Sequence, residues 1–166
     1  MSKILIVEDN DVFRKLFFDS LVQRFPDYLY EEAKDGSEVQ LKVSEFCPDI
    51  IFMDINLPNK NGLELTSEIK KEYPDITIII VTNYDLHEYR IKAEESGADF
   101  FLSKTSITEN NLANLLNKIA AKNYSLAKVI SNIHHLKEAD LMSKGVGTSR
   151  VDDGEILKEL VFKLMH

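Results

Sequence analysis

The chain has 166 residues, of which 44% are hydrophobic, so it can bury a core and general disorder is excluded. Its 28 acidic residues outnumber its 20 basic residues, and the net charge of -8 argues against direct nucleic-acid binding. No apolar run approaches the ~20 residues of a membrane-spanning helix, and a single cysteine cannot form an intrachain disulfide, so we expect a cytoplasmic protein without a membrane segment.

The chain begins with a predicted strand and a predicted helix. Residues 3–7 are aliphatic and β-branched, and this run ends at the acidic pair Glu8-Asp9. Asn10 or Asp11 can cap the helix that follows. The apolar residues of this helix recur at helical spacing: Phe13, Leu16, Phe17, Leu21 and Phe25.

A second strand and a second helix follow. Residues 28–33 predict the strand, and the helix runs from the Asp35-Gly36 turn to Cys47. Its apolar positions are Val39, Leu41, Val43 and Phe46. We expect Cys47, which precedes a proline in an apolar stretch, to be a buried structural thiol.

The third strand is the most informative element of the sequence. Residues 50–53 are four consecutive apolar residues, a pattern typical of a strand buried on both faces, and the carboxylate of Asp54 follows directly. A loop then leads through Gly62 into a third helix, whose apolar positions are Leu63, Leu65, Ile69 and Tyr73.

Two further strand–helix units complete the alternation. The fourth strand, residues 76–81, ends at Thr82, and the fifth, residues 99–102, leads to Lys104. Between them, residues 85–96 form a polar helix with few core residues. A last helix spans residues 108–122, with Thr108 as its N-cap and an apolar face of Leu112, Leu115, Leu116 and Ile119.

Strict alternation of five strands and five helices predicts an α/β fold with one doubly wound parallel sheet in the strand order 2-1-3-4-5. In such a sheet the carboxyl ends of the strands meet at one edge, where ligands bind. The polar residues brought to that edge are Glu8, Asp9, Asp54, Thr82 and Lys104.

Three carboxylates in one place repel one another unless a cation or a proton neutralises them. Oxygen ligands of this kind suit Mg²⁺, which often partners phosphate oxygens. The set therefore suits phosphoryl transfer, with Asp54 as nucleophile, Lys104 as counter-charge and Thr82 as hydrogen-bond donor. Each residue alone has an ordinary explanation, such as a helix cap or a surface lysine, and only their joint placement favours a site.

Residues 3–122 resemble the receiver domain of two-component response regulators, the flavodoxin-like fold of CheY. The matching positions are Glu8-Asp9, Asp54, Asn56, Pro58, Gly62, Thr82, Gly97-Ala98-Asp99, Phe101 and Lys104. The resemblance implies that a sensor histidine kinase or a phosphotransfer protein phosphorylates Asp54.

The resemblance also implies the roles of the surrounding residues. Asp9, Asp54 and the backbone carbonyl of Asn56 would ligate Mg²⁺, and Glu8 would act largely through water. Thr82 and Phe101 would be a switch pair that changes a binding surface after phosphorylation.

Three positions depart from the family pattern. Asn83 stands where the family usually has a small residue, and its side chain can restrict access to Asp54. Thr105 replaces a frequent proline, and Phe101 replaces a frequent tyrosine. None of these changes removes a group that phosphoryl transfer needs.

The predicted domains are a receiver at residues 1–122 and a helical hairpin extension at residues 123–166. The extension carries two amphipathic segments around a glycine-rich turn and resembles the extreme C-terminus of the delta subunit of bacterial DNA polymerase III clamp loaders. This resemblance implies self-association or partner binding through the C-terminal helices. No basic recognition helix of a helix-turn-helix is evident.

Two alternatives to a phosphorylation-switched binding module remain open. The first is a phosphatase of the aspartyl-nucleophile class, and Asn56 argues against it because such enzymes usually carry a general-acid aspartate at that position. We therefore expect no enzyme activity beyond the chain's own phosphorylation and dephosphorylation. The second is an assembly protein that acts through residues 123–166, with a regulatory or inert receiver.

Overall fold

The computed structural model describes residues 2–122, which form a five-stranded sheet flanked by helices on both faces. The strands are β1 (Lys3–Val7), β2 (Leu29–Ala33), β3 (Ile50–Met53), β4 (Thr77–Thr82) and β5 (Phe100–Ser103). All neighbours pair in parallel, and the order β2-β1-β3-β4-β5 confirms the prediction.

The helices begin close to the predicted positions. They are α1 (Asp11–Arg24), α2 (Gly36–Phe46), α3 (Gly62–Glu72), α4 (His87–Glu95) and α5 (109–122). A 3-10 turn spans Lys104–Ser106. Of the two predicted caps of α1, Asn10 is the one used: its side chain accepts a hydrogen bond from the Phe13 N–H at 2.9 Å.

The hydrophobic core consists of two layers, one on each face of the sheet. Alternate residues of β1 and β3 contribute to opposite layers, which is why these strands are continuous apolar runs. Leu5, Val7, Ile51 and Met53 pack with α2, α3 and Ala93 of α4, while the other layer packs with α1 and α5.

Three sequence-based expectations about burial are wrong. Leu16 is 65% exposed, because the buried stripe of α1 follows Phe17 and Leu21. Leu41 is exposed, since α2 buries Val39 and Val43 instead. Cys47 is also exposed: it caps α2 in a left-handed conformation (φ 50°), which turns the chain out of the helix.

α4 matches the expectation of a polar, weakly packed helix. It is shorter than predicted, and Ala93 is its one buried residue. Gly97 follows with φ +90°, and its N–H donates to the Glu94 carbonyl, so a glycine closes the helix as predicted.

The predictions for residues 123–166 lie outside the described residues. They include the boundary at residue 122, the helical hairpin and the clamp-loader resemblance, and all of these stay predictions. Across residues 2–122, no helix has the length and apolar character that crossing a membrane requires.

Candidate functional site

The carboxyl ends of β1, β3, β4 and β5 surround a cavity of about 410 Å³, which we call the acidic cavity. Six of the seven predicted site residues line it: Glu8, Asp9, Asn56, Asp54, Thr82 and Lys104. They meet there because β1 and β3 are neighbours at the point where the chain direction across the sheet reverses.

Asp54 is held firmly at the base of this cavity. It is 6% exposed, and its backbone N–H donates to the Val7 carbonyl at 2.9 Å, continuing the β1–β3 ladder. Its Oδ1 accepts a hydrogen bond from the Ile55 N–H at 2.7 Å, and its Oδ2 accepts one from Lys104 Nζ at 2.8 Å. Both carboxylate oxygens are therefore oriented by neighbouring donors.

Lys104 lies between two carboxylates. Its side chain is 8% exposed, and Nζ is 2.6 Å from Glu8 Oε2 as well as 2.8 Å from Asp54 Oδ2. Burial alone would lower the pKa of Lys104, but the hydrogen bonds to Asp54 and Glu8 outweigh it and raise the pKa above its usual value. Lys104 therefore stays an ammonium ion in this cavity.

Glu8 is the most buried carboxylate of the cluster, with 2% of the residue exposed. Burial raises its pKa against the opposing hydrogen bond from Lys104, and the charge of Asp54 adds to the rise. Its Oε1 accepts a hydrogen bond from the Asn10 N–H at 3.2 Å. Its backbone carbonyl accepts one from Arg14 at 2.8 Å, a contact that the sequence did not reveal.

The carboxylates fit a divalent cation. One carboxylate oxygen each from Glu8, Asp9 and Asp54 lies within 4.8 Å of the others. Among the residues that line the acidic cavity, three carboxylates face the ammonium of Lys104, which is a formal charge of -2 when all three carboxylates are ionised. Hard oxygen ligands with unbalanced negative charge match the preference of Mg²⁺.

Thr82, the last residue of β4, and Asn83, which follows it, form one wall of the acidic cavity. Thr82 is buried, and its Oγ1 accepts a hydrogen bond from the Tyr84 N–H at 3.3 Å. Asn83 is an exposed residue that lines the acidic cavity. Asn83 therefore lies in the same cavity as Asp54, where its side chain can contact an incoming phosphoryl group. Whether it restricts access to Asp54 stays a prediction.

Phe101 is the predicted site residue that does not line the acidic cavity. It lies on β5, half-buried, and packs against the core layer that contains Ala93. The Arg90 guanidinium of α4 lies 4.6 Å from the centre of its ring. Phe101 thus connects β5 with α4 instead of contacting Asp54.

Sequence reasoning assigned Phe13 to the core of α1 and missed its second contact. Phe13 lines the acidic cavity, and Lys104 Nζ lies 4.7 Å from the centre of its ring. Its place four residues after Asp9, one turn into α1, is the signal that could have identified it.

Comparisons with known proteins agree with this geometry. Residues 4–117 match the response regulator receiver domain family. The chain is 34% identical over 102 residues to the chemotaxis protein CheY of Halobacterium salinarum, covering 61% of this chain and 83% of that protein. It is 36% identical over 110 residues to the oxygen regulatory protein NreC of Staphylococcus carnosus, covering 64% of this chain and 50% of that protein.

The fold is also similar to that of solved structures. The BeF3-activated N-terminal receiver domain of RstA from Klebsiella pneumoniae matches with a TM-score of 0.66 and 25% identity, over 71% of this chain and 98% of that chain. The chain therefore spans nearly all of an isolated receiver domain but about half the length of NreC.

Proposed function

The chain belongs to the response regulator receiver family, and on that premise we propose that it is a switch of a two-component system that is phosphorylated on Asp54. The phosphoryl donor is a sensor histidine kinase or a phosphotransfer protein. The observation that carries the proposal is Asp54 itself: a buried carboxylate with both oxygens oriented, beside Lys104 and within reach of two more carboxylates.

The proposed reaction moves the phosphoryl group from a phosphohistidine to Asp54. A carboxylate oxygen of Asp54 forms the new O–P bond while the P–N bond breaks, and the electron pair stays on the imidazole. The ammonium of Lys104 offsets the negative charge of the transferred group. The hydroxyl of Thr82 is a donor that can turn towards a phosphoryl oxygen.

The carboxylates of Glu8, Asp9 and Asp54 and the backbone carbonyl of Asn56 would hold Mg²⁺. When bound, the ion neutralises charge on the phosphoryl oxygens. Without such a cation, adding a phosphoryl group to a cluster of net negative charge is opposed by electrostatic repulsion.

The proposed output is a change of binding surface around α4 and β5. If Thr82 turns towards the phosphoryl group, space opens behind β4, and Phe101 can move inward from its half-buried position. α4 can follow, since Ala93 is its one buried residue.

We propose no turnover of other phosphoryl substrates, because Asn56 has an amide and cannot act as a general acid.

We further propose that residues 123–166 mediate self-association or partner binding in the cytoplasm. Light scattering of the full chain and of a chain ending at Lys122 tests the proposed self-association, which equal association states of the two chains would contradict.

The central test is the intact mass of the full chain after incubation with acetyl phosphate and Mg²⁺. We expect one added phosphoryl group on the wild type and none on Asp54→Asn, which keeps the size of the side chain but is a poor nucleophile. Asp49→Asn is the matched control, because Asp49 lies at the opposite end of the same strand. Equal addition to wild type and Asp54→Asn, or none to either, would contradict the proposal.

A further inference from the structure

An aromatic ring faces the ammonium group of Lys104 within the acidic cavity. The ring belongs to Phe13 on the first turn of α1, and its centre lies 4.7 Å from Lys104 Nζ. A cation at this distance from an aromatic ring is attracted by the negative charge of the ring face, more strongly when water is excluded. The side chain of Lys104 is 8% exposed, so this contact is largely desolvated.

The Phe13 ring is held in place from two sides. The backbone N–H of Phe13 donates to the side chain of Asn10, and this hydrogen bond fixes the start of α1. Its ring stacks on Phe17, with centres 5.6 Å apart and planes 17° from parallel. Phe17 meets Phe52 edge to face at 5.0 Å, and Phe52 lies on β3 two residues before Asp54.

Lys104 has a long side chain whose position must be specified. Within residues 2–122, its polar contacts are with Glu8 and Asp54, both carboxylates of the reacting cluster. The hydrogen bond to Asp54 must rearrange when a phosphoryl group is added to that carboxylate. The contact with Phe13 does not depend on the charge of Asp54. It can therefore keep the ammonium in the cavity before and after the transfer.

We propose that Phe13 is a positioning residue for phosphoryl transfer: its ring face holds the Lys104 ammonium beside Asp54 through a cation–π contact. This inference rests on the proposed function of Asp54 and deepens it. Phe13 also belongs to the core around α1, so the test must separate the charge of the ring face from the volume of the side chain.

The experiment follows the rate of acyl-phosphate formation by intact mass, using the full chain with acetyl phosphate and Mg²⁺. We expect Phe13→Leu to lower the rate by about five-fold to thirty-fold, because a cation–π contact is worth about 1 kcal/mol at an exposed site and about 2 kcal/mol when desolvated, and 1.36 kcal/mol corresponds to ten-fold in rate. Phe13→Tyr keeps an aromatic face and should stay within about two-fold of wild type. The matched control is Phe18→Leu, because Phe18 lies on the same helix and packs against Tyr30, away from the cavity.

Fluorinated phenylalanines at position 13 give the decisive comparison. Fluorine withdraws negative charge from the ring face with little change in volume, so the rate should fall stepwise from one to three fluorine atoms. A rate that is unchanged by fluorination, or a Phe13→Leu effect no larger than that of Phe18→Leu, would overturn the proposal in favour of a packing role.

A second readout does not depend on phosphorylation. In NMR spectra, a ring face shifts the neighbouring Lys104 methylene protons upfield, and Phe13→Leu should abolish that shift while Phe18→Leu keeps it. If the wild type gains no phosphoryl group, the proposed function is wrong. The upfield shift would still show whether the Phe13 ring contacts Lys104. Methylene shifts that are equal in wild type and Phe13→Leu would overturn the contact itself.

Discussion

At the scale of single residues, Gly62 shows how closely the loop after β3 is built around Asp54. A Cβ atom at residue 62 would lie 1.9 Å from the Asp54 carbonyl oxygen and 3.1 Å from Ile55 Cα. The Gly62 N–H also donates to the Ile55 carbonyl at 2.8 Å. The loop can therefore close beneath the acidic cavity only if residue 62 has no side chain.

We expect Gly62→Ala to lower the free energy of unfolding by about 3 kcal/mol or more, because backbone atoms must move to admit the methyl group. Urea denaturation measures the change. Gly97→Ala is the matched control: its φ of +90° strains alanine, but the nearest contact is the flexible Lys70 side chain at 3.3 Å, so we expect a loss of about 1–2 kcal/mol. Equal losses in the two variants would contradict this reading of the loop.

Tyr30 gives a pH dependence with a definite sign. Burial, and to a smaller extent Tyr28, raises the pKa of Tyr30 to about 12, and its hydroxyl donates to the Phe25 carbonyl at 2.8 Å. The folded state thus favours the protonated phenol. This stabilisation is fully present below the unfolded pKa of about 10 and is lost as the pH rises through the folded value.

We therefore expect the wild type to be more stable than Tyr30→Phe below pH ~10 and this advantage to disappear towards pH ~12. Chemical denaturation of both proteins at several pH values in that range measures the difference between their free energies of unfolding. Groups other than Tyr30 titrate in both proteins, so their contributions largely cancel in this difference. A stability difference that stays constant through this range would refute the assignment.

At the scale of elements, α3 and α4 differ in how firmly they are attached. α3 buries Leu65, Thr66 and Ile69, whereas α4 buries Ala93. α4 is also attached through Tyr89, which packs partly buried against the same core layer, and through Arg90, which lies over the Phe101 ring and pairs with Asp85. A helix with so little buried surface opens at low energy.

Amide hydrogen exchange should therefore be faster in α4 than in α3. Arg90→Gln removes the contact with Phe101 and should increase exchange in α4 while leaving α3 unchanged. Lys92→Gln, two residues further along the same helix, serves as the control, because Lys92 lies over the ring of Tyr89 and not over that of Phe101. Equal protection of the two helices would show that α4 is not the loosely attached element.

Element order could be predicted because each strand and helix carries its own period of apolar residues. The failures concern side-chain direction. Leu16 and Phe17 both fit the helical spacing after Phe13, and only packing against the sheet decides which is buried. Cys47 fits an apolar run, yet the left-handed end of α2 turns it outward.

The site was predictable to the extent that it depends on strand ends. A parallel sheet brings Glu8, Asp54 and Lys104 together whatever the details of packing. The contacts of Phe13 and Arg14 could not be predicted in the same way, because they depend on how α1 is rotated against the sheet.

At the scale of the whole molecule, the acidic cavity is a local concentration of charge in a chain that already carries a net charge of -8. A cation that binds the folded state and not the unfolded state adds stability. At ten times its dissociation constant the gain is about 1.4 kcal/mol, which raises the Tm by several degrees.

We therefore expect Mg²⁺ to raise the Tm of the wild type and to have little effect on Asp9→Asn. Without Mg²⁺, Asp9→Asn should melt at or above the wild-type temperature, because one repelling charge is removed. Asp49→Asn should respond to Mg²⁺ like the wild type. If Mg²⁺ raised the Tm of Asp9→Asn as much as that of the wild type, the ion would bind at another site.

The most direct test of a switch at Asp54 is an amide NMR spectrum of the full chain with and without beryllofluoride and Mg²⁺, which together mimic the phosphoryl group. We expect shifts around Asp54 and Thr82 and also at Phe101 and along α4, all absent in Asp54→Asn. Shifts confined to the residues that line the acidic cavity would show that the site binds the mimic without switching a surface. No shifts at all would contradict the assignment of Asp54 as the acceptor.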